Sequence, residues 1–258
     1  TEGRLPKVVI PVHFAGLPCD MKEIHRLGQK YGFRIIEDAC HALGARYQDE
    51  PIGLERYSNI TVFSFHPVKI ITTGEGGMAM TNDPALAKTM SMLRSHGITR
   101  DPEDFINEPD GPWYYEQQML GFNYRMTDIQ AALGLSQMQN LEDWIQKRGK
   151  LARRYFEALA PELLPRYFSE ERRSAFHLYV HRIAPEQRLR IFEQLRAQGI
   201  GANVHYMPIY KQPWYQRSAP TPQPYAEQFY SGAITLPLFP SLTYIEQDAI
   251  NHSLLPTP

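Results

Sequence analysis

An apolar run, a capped helix and a second apolar run occupy residues 8–36, and that succession fixes the class of fold. Val8-Val9-Ile10 with Val12 is continuously apolar, the pattern of a strand buried on both faces of a sheet. Asp20 stands three residues before Glu23, the spacing of a capping box, so a helix is expected to open there. Gly32 is placed to close that helix as its left-handed terminal residue. Phe33-Arg34-Ile35-Ile36 is the next short strand. Strand, helix and strand within roughly thirty residues predict parallel strands joined by a right-handed crossover.

Further strands are expected over residues 60–65 and 77–81. Asn82-Asp83-Pro84 opens a helix with proline at its first position, ending near His96-Gly97. Residues 98–118 mix Pro, Asp, Gly and aromatic side chains and read as a long surface excursion, a kind of loop that is often functional. One long helix is expected from a cap at Thr127 or Asp128 to Leu159. Its basic run Lys147, Arg148, Lys150, Arg153 and Arg154 reads as a solvated face. Past Pro161 the texture changes. A strand over 176–183, a helix over 185–199, an extended stretch over 202–206 and a last helix opened by Thr243 and Glu246 are expected. The organisation expected is a large domain over residues 1–159, long helix included, and a small α+β domain over 160–258.

Composition narrows the classes of function. With 258 residues, 43% hydrophobic and 21% charged, the chain is of ordinary globular type. Its 27 basic and 28 acidic residues give a net charge of −1, without the basic excess that a nucleic-acid surface needs. Cys19 and Cys40 are the only cysteines and have no metal or redox spacing, which points to a reducing compartment. No apolar run reaches membrane-spanning length, and the start lacks a signal-peptide layout. The expectation is a cytoplasmic protein with neither a membrane nor a nucleic-acid partner. His177 and His181 share one face of the expected strand, but no further side chains at metal-site spacing accompany them.

Two residues carry the chemistry. Asp38 is expected at the carboxyl end of a buried strand, where open α/β sheets bind ligands. A carboxylate there either caps a helix, forms a structural ion pair, or faces a cationic ring nitrogen and keeps it protonated. Lys69 follows a strand that ends near Ser64, whose hydroxyl could hold a phosphate. Thr73-Gly74-Glu75-Gly76-Gly77 comes next and lets backbone approach a ligand closely. A desolvated lysine beside a cation loses proton affinity. It then serves as an imine-forming nucleophile and, once released, as a general base. A glycine-rich turn alone is a weak signal; Asp38, Ser64, Lys69 and Gly74-Glu75-Gly76-Gly77 in this order are a strong one.

The segments Glu37-Asp38-Ala39-Cys40-His41-Ala42-Leu43-Gly44-Ala45, Ser64 to Lys69 and Gly74-Glu75-Gly76-Gly77 closely resemble the DegT/DnrJ-type sugar aminotransferases. Gly121-Phe122-Asn123-Tyr124-Arg125-Met126-Thr127-Asp128 and Val204-His205-Tyr206-Met207-Pro208-Ile209-Tyr210 extend the likeness over essentially the whole chain. The resemblance implies an α/β, three-layer, fold type I large domain with a mainly parallel sheet, and a small α+β domain. It implies pyridoxal 5′-phosphate as cofactor, with Lys69 joined to it, Asp38 on the ring nitrogen, His41 near the ring, and Ser64 on the phosphate. Asn123 matches a residue reaching the cofactor phosphate of the partner subunit, so a homodimer with shared sites is implied. Arg125 serves either an anionic group of a substrate or a surface ion pair. His205 and Tyr206 either touch the sugar nucleotide or satisfy packing.

Within the family, Pro11-Val12-His13-Phe14-Ala15-Gly16 with Cys19-Asp20-Met21, and residues 206–215, most resemble the pseudaminic-acid pathway members. These move an amino group from glutamate to C4 of a UDP-linked 4-keto-6-deoxy-N-acetylhexosamine. The alternatives are another nucleotide-sugar aminotransferase acting at C3 or C4, and a non-catalytic remnant. Sugar dehydratases of the same fold carry histidine at the lysine position, so Lys69 favours amination. By the same resemblance, the first strand here corresponds to one midway through the family's large domain. About 100 residues, the size of a small domain, with the turn that cradles the cofactor phosphate, are expected to be missing.

Overall fold

The computed structural model describes residues 5–217 and 221–254. The elements begin with β1 (Val8–Val9), α1 (Met21–Tyr31), β2 (Arg34–Asp38), β3 (Arg46–Tyr47), β4 (Glu50–Pro51), β5 (Ile60–Ser64) and β6 (Gly77–Met80). Next come α2 (Pro84–Arg94), β7 (Ile98–Thr99), β8 (Glu116–Gln117), α3 (Asp128–Met138), α4 (Leu141–Leu159), α5 (Leu164–Tyr167) and β9 (Arg172–Arg173). The chain ends with β10 (Tyr179–Arg182), α6 (Arg188–Ala197), α7 (Pro213–Gln216), α8 (Pro224–Gly232), β11 (Ala233–Leu236) and α9 (Tyr244–Leu254). These fall into two compact units. The first comprises the segment ending at Val12, Cys19–Cys40 and Ile52–Gln139; the second comprises His13–Pro18, His41–Pro51 and the chain from Asn140 onward.

In the first unit the sheet has the order β1-β2-β5-β6. β2 pairs in parallel with both β1 and β5, while β6 returns antiparallel to β5. Helix α1 forms as its sequence dictates. The Asp20 side chain accepts the Glu23 N–H, and Gly32 closes the helix at φ 75°. The first strand is shorter than its apolar run: only Val8–Val9 is regular, and Val12 rejoins the ladder as a single bridge to Asp38. At the far end of β2, the Asp38 N–H donates to the Pro11 carbonyl and the Ala39 N–H to the Val62 carbonyl, both at 2.9 Å. The central strand thus delivers Asp38 to the carboxyl edge of the sheet.

The single helix expected up to Leu159 is two. It breaks between Met138 and Leu141, where Asn140 sits at φ −104°, ψ 1°. Glu142 and Asp143 then occupy the first turn of α4 and complement its positive end. Apolar residues recur on both sides of the break, so periodicity does not reveal it.

Residues 98–118 hold the two short strands β7 and β8, paired antiparallel. Glu116 organises this excursion. Its carboxylate accepts the backbone N–H groups of Ile106 and Asn107, both at 2.8 Å, and donors from Asn107, Tyr114 and Gln118 at 3.0–3.1 Å. The Ile106 N–H first, then the Asn107 N–H and the Gln118 and Tyr114 side chains, hold the carboxyl down to about 2 against the opposing effect of burial.

The core of the second unit is built from α4, α6, α9, β10 and β11. Leu151, Ala152, Tyr155 and Phe156 meet Tyr179, Ile191, Leu195, Ile234, Leu236 and Ile250. β10 and β11 pair antiparallel, and β11 is buried along its whole length. The strand expected from residue 176 starts only at Tyr179, because Phe176 takes a left-handed φ of 46°. His177 therefore lies outside the strand. Nor is the basic run on α4 uniformly solvated. Lys147, Lys150 and Arg153 are exposed, but Arg148 is buried. Its Nη1 donates to the carbonyls of Phe176 and His177 at 3.3 Å and of Leu238 at 2.8 Å. Burial pushes this guanidinium down to about 10.

Glu116 generates a prediction with a definite sign. Its folded value lies below that of a free carboxyl, so it stabilises the excursion above the ordinary carboxylate range, and this contribution is lost as pH falls through about 2. Glu116→Gln is expected to make residues 101–118 cleave roughly tenfold faster at neutral pH, since the loop then opens more often. Limited proteolysis followed by mass spectrometry, with Trp113 fluorescence across an acid titration, checks both.

Candidate active site

The turn after β2 gathers three reactive groups. Asp38 ends the strand, and the backbone N–H of Cys40 donates to its Oδ1 at 3.1 Å. The Cys40 thiol hydrogen-bonds to the same carboxylate. Burial first, then that bond and the Asp38 charge, push the thiol up to about 12, while the Lys69 charge pulls the other way. Asp38, Cys40 and Lys69 therefore share one neighbourhood, and its thiol stays protonated. Lys69 arrives there through a tight turn in which its N–H donates to the His66 carbonyl at 2.9 Å. Ser64 ends β5 opposite Gly77 and accepts the His66 N–H at 3.4 Å.

The glycine-rich turn has a different physical basis from the one expected. Gly76 lies at φ 158°, and a Cβ there would meet Thr73 Oγ1 at 2.3 Å; at Gly77 it would meet the Phe63 carbonyl oxygen at 2.7 Å. The chain's own packing excludes side chains at both positions, so their smallness is not evidence of ligand approach. Gly74 has φ 80° and open space around it. Helix α3 fixes this turn through two side chains. Gln137 Oε1 accepts the Thr72 N–H at 2.9 Å, and Gln130 Nε2 donates to the Glu75 carbonyl at 3.0 Å.

Asn123 and Arg125 lie on the surface of the same unit, Asn123 bridged to Ser95. They alternate with Phe122 and Tyr124, whose rings stack at 4.7 Å. Leu120 and Ile129 beside them are 89% and 85% exposed.

The second unit gathers His41, Tyr206, His177 and Phe14. His41 Nδ1 accepts the Ala15 N–H at 3.3 Å, which in the neutral ring puts the proton on Nε2. That N–H reaches the Tyr206 hydroxyl at 3.4 Å. The His41 ring lies 4.5 Å from the His177 ring and 6.2 Å from Phe14. His205 hydrogen-bonds to the Thr235 hydroxyl at 2.8 Å. Of the residues singled out in the sequence, Asp38, Ser64, Lys69, Asn123 and Arg125 belong to the first unit, and His41, His205 and Tyr206 to the second. Sequence reasoning gave no role to Cys40, although it stands inside the quoted segment. His177 was weighed only as a metal ligand, and Phe14 stood only in a resemblance segment.

A family model for the DegT/DnrJ/EryC1/StrS aminotransferases matches residues 1–255. The chain belongs to this family. It is 35% identical over 254 residues to SpsC of Bacillus subtilis, a spore coat polysaccharide biosynthesis protein, covering 95% of this chain and 64% of that one. Among solved structures it is similar to Helicobacter pylori PseC, an aminotransferase involved in the biosynthesis of pseudaminic acid. That likeness has TM-score 0.85 and 34% identity, with 96% of this chain and 65% of PseC covered. It is likewise similar to the sugar aminotransferase Spr1654 of Streptococcus pneumoniae in its PMP form, with TM-score 0.83 and 31% identity over 96% of this chain and 68% of that one. The chain thus spans less than two thirds of the length of SpsC and PseC.

The fold is fold type I, an α/β arrangement with a mixed sheet, and the cofactor of the family is pyridoxal phosphate. The donor set on β2 and its neighbour fits that group. A carboxylate fixed by the turn at Cys40 suits a protonated ring nitrogen, and the adjacent amine suits an aldehyde.

The shared neighbourhood predicts how Cys40 reacts. In a Cys19→Ser background, its alkylation by iodoacetamide at pH 8 is expected to be far slower than that of a free thiol. Asp38→Asn removes a cause of the upward shift and speeds the reaction; Lys69→Ala removes the opposing charge and slows it further. Rates read by mass spectrometry that are indifferent to both substitutions would show that the groups do not interact.

Proposed function

We propose that this chain is the lysine-bearing part of a cytoplasmic, pyridoxal-phosphate-dependent nucleotide-sugar aminotransferase. In this reading it moves the amino group of glutamate to C4 of a UDP-linked 4-keto-6-deoxy-N-acetylhexosamine, a step of pseudaminic acid formation. The observation that carries the proposal is the neighbourhood of Asp38, Cys40 and Lys69. The likeness to PseC supports the choice of sugar.

Pyridoxal phosphate, when bound, supplies an electron sink for the carbon that loses its proton. The protein supplies the rest. Lys69 would hold the cofactor through its amine and, once freed, would carry a proton. Asp38 would hold the ring nitrogen in its protonated form. Cys40 holds the Asp38 carboxylate in place through its backbone N–H. Its thiol, pushed up to about 12, donates without competing as a base. His41, proton on Nε2 with the Tyr206 hydroxyl as its partner, would lie near the ring. Ser64 would contact the phosphate. Arg125, His205 and Tyr206 hold the sugar nucleotide.

Asn123 would reach the cofactor phosphate of a second subunit, which would make the active form a homodimer with shared sites. The exposed Leu120, Phe122, Tyr124 and Ile129 around it form the apolar face that such a dimer covers.

Incubation with pyridoxal phosphate, glutamate and UDP-4-keto sugars, read by mass spectrometry, tests the reaction; an aminated sugar is the expected product. Failure with every C3- and C4-keto nucleotide sugar, in a protein that turns yellow with cofactor, would reject the activity while leaving the cofactor assignment intact. Lys69→Ala is expected to remove the yellow colour and borohydride trapping and to lower turnover about a thousandfold or more, the scale of a lost proton-transfer group. Asp38→Asn is expected to lower turnover at least about a hundredfold with folding retained. Near-parental rates in either variant would refute the role given to that residue.

A further inference from the structure

The second unit holds a pocket of about 310 Å³ between helix α4 and residues 167–176. Its size is at the lower end of the range for small-molecule sites. None of its lining residues belongs to the set assigned above. Ile145, Gly149 and Arg153 present one face of α4 to it, and Phe168, Arg172, Arg173 and Phe176 line the other side.

Three observations single this pocket out. The first is charge. Arg153, Arg172 and Arg173 line it with one carboxylate, Glu170, and among the described residues none of the three arginines forms an ion pair. β9 pairs with β3 so that Arg173 stands directly opposite Arg46. Like charges facing across strands destabilise a sheet unless an anion offsets them. The second is the placement of Arg153, whose guanidinium lies 4.1 Å over the Phe168 ring. A guanidinium held against an aromatic ring keeps its N–H donors available for phosphate oxygens. The third is Gly149, in the interior of the 19-residue helix α4. A Cβ there would meet only the Phe176 ring, at 3.8 Å, an ordinary contact. Alanine would fit and favour the helix. What a larger side chain at this position would fill is the pocket, with the Phe176 ring as a flat wall.

We infer that this pocket is a second binding site, taking a phosphate monoester that carries a flat ring. The ring lies against Phe176 in the space left by Gly149, and the phosphate meets the guanidiniums of Arg153 and of the Arg172–Arg173 strand.

Calorimetric titration of the whole chain with phenyl phosphate, phenol and inorganic phosphate tests this. Phenyl phosphate is expected to bind one to one, and phenol and inorganic phosphate at least about tenfold more weakly. Arg153→Gln, and separately the pair Arg172→Gln with Arg173→Gln, should each raise the phenyl phosphate Kd at least about tenfold. Gly149→Leu should abolish binding, whereas Gly149→Ala should raise the melting temperature. Binding should persist in Lys69→Ala, which separates this site from the proposed active site. Absence of phenyl phosphate binding at millimolar concentration overturns the proposal. So does binding that both arginine variants and Gly149→Leu leave unchanged.

Discussion

Strand β2 is the constraint on which the first unit depends. It is hydrogen-bonded on both sides to parallel neighbours, and the pairing continues to its last residue through Pro11 and Val62. A strand held in this way cannot slip register without turning its buried Ile35 outward. Its final side chain is therefore fixed as firmly as its core. Asp38 is that side chain. The next strand in the sheet, β5, ends at Ser64, and the turn beyond it brings Lys69 into the electrostatic reach of Cys40. Amine and carboxylate come to flank Cys40 because adjacent parallel strands end at one edge, the general location of ligands in open α/β sheets.

The second unit depends on Arg148. A buried guanidinium without a carboxylate is costly, and it persists only where its donors are used. Here Nη1 reaches three carbonyls from two distant segments and ties α4 to residues 176–177 and 238, while Nε is left without a partner among the described residues. The tie coincides with the left-handed backbone at Phe176, and it stands next to the His177 ring that packs on His41. Removing the cation would leave three carbonyls without their donor, a desolvation penalty of about 1–3 kcal/mol for each buried group left unpaired.

Much of this was legible in the sequence, and the reasons are local. The caps at Asp20 and Thr243, Pro84 at a first helical position and Gly32 at a helix end all act within one turn, so the chain declares them. The order Asp38, Ser64, Lys69 was legible because strand ends are punctuated by polar residues. Features that depend on distant partners were not. Arg148 is one basic residue among five on its helix, and only the carbonyls that the fold brings to it distinguish it. The break at Asn140 has apolar residues in period on either side. Gly76 and Gly77 looked like room for a ligand, and the structure shows them packed against Thr73 and Phe63.

Cys40 shows why such a site tolerates, and uses, a thiol beside its carboxylate. A thiol of ordinary acidity close to Lys69 would be partly ionised at neutral pH, and a thiolate would repel Asp38. Burial and the Asp38 charge raise it instead, so the proton stays on sulfur and is directed at the carboxylate. The thiol then adds no charge of its own to the cluster. A cationic ring nitrogen placed against Asp38 would satisfy that carboxylate. Asp38 and Lys69 thus act on Cys40 with opposite sign, and neither has to touch the other to do so.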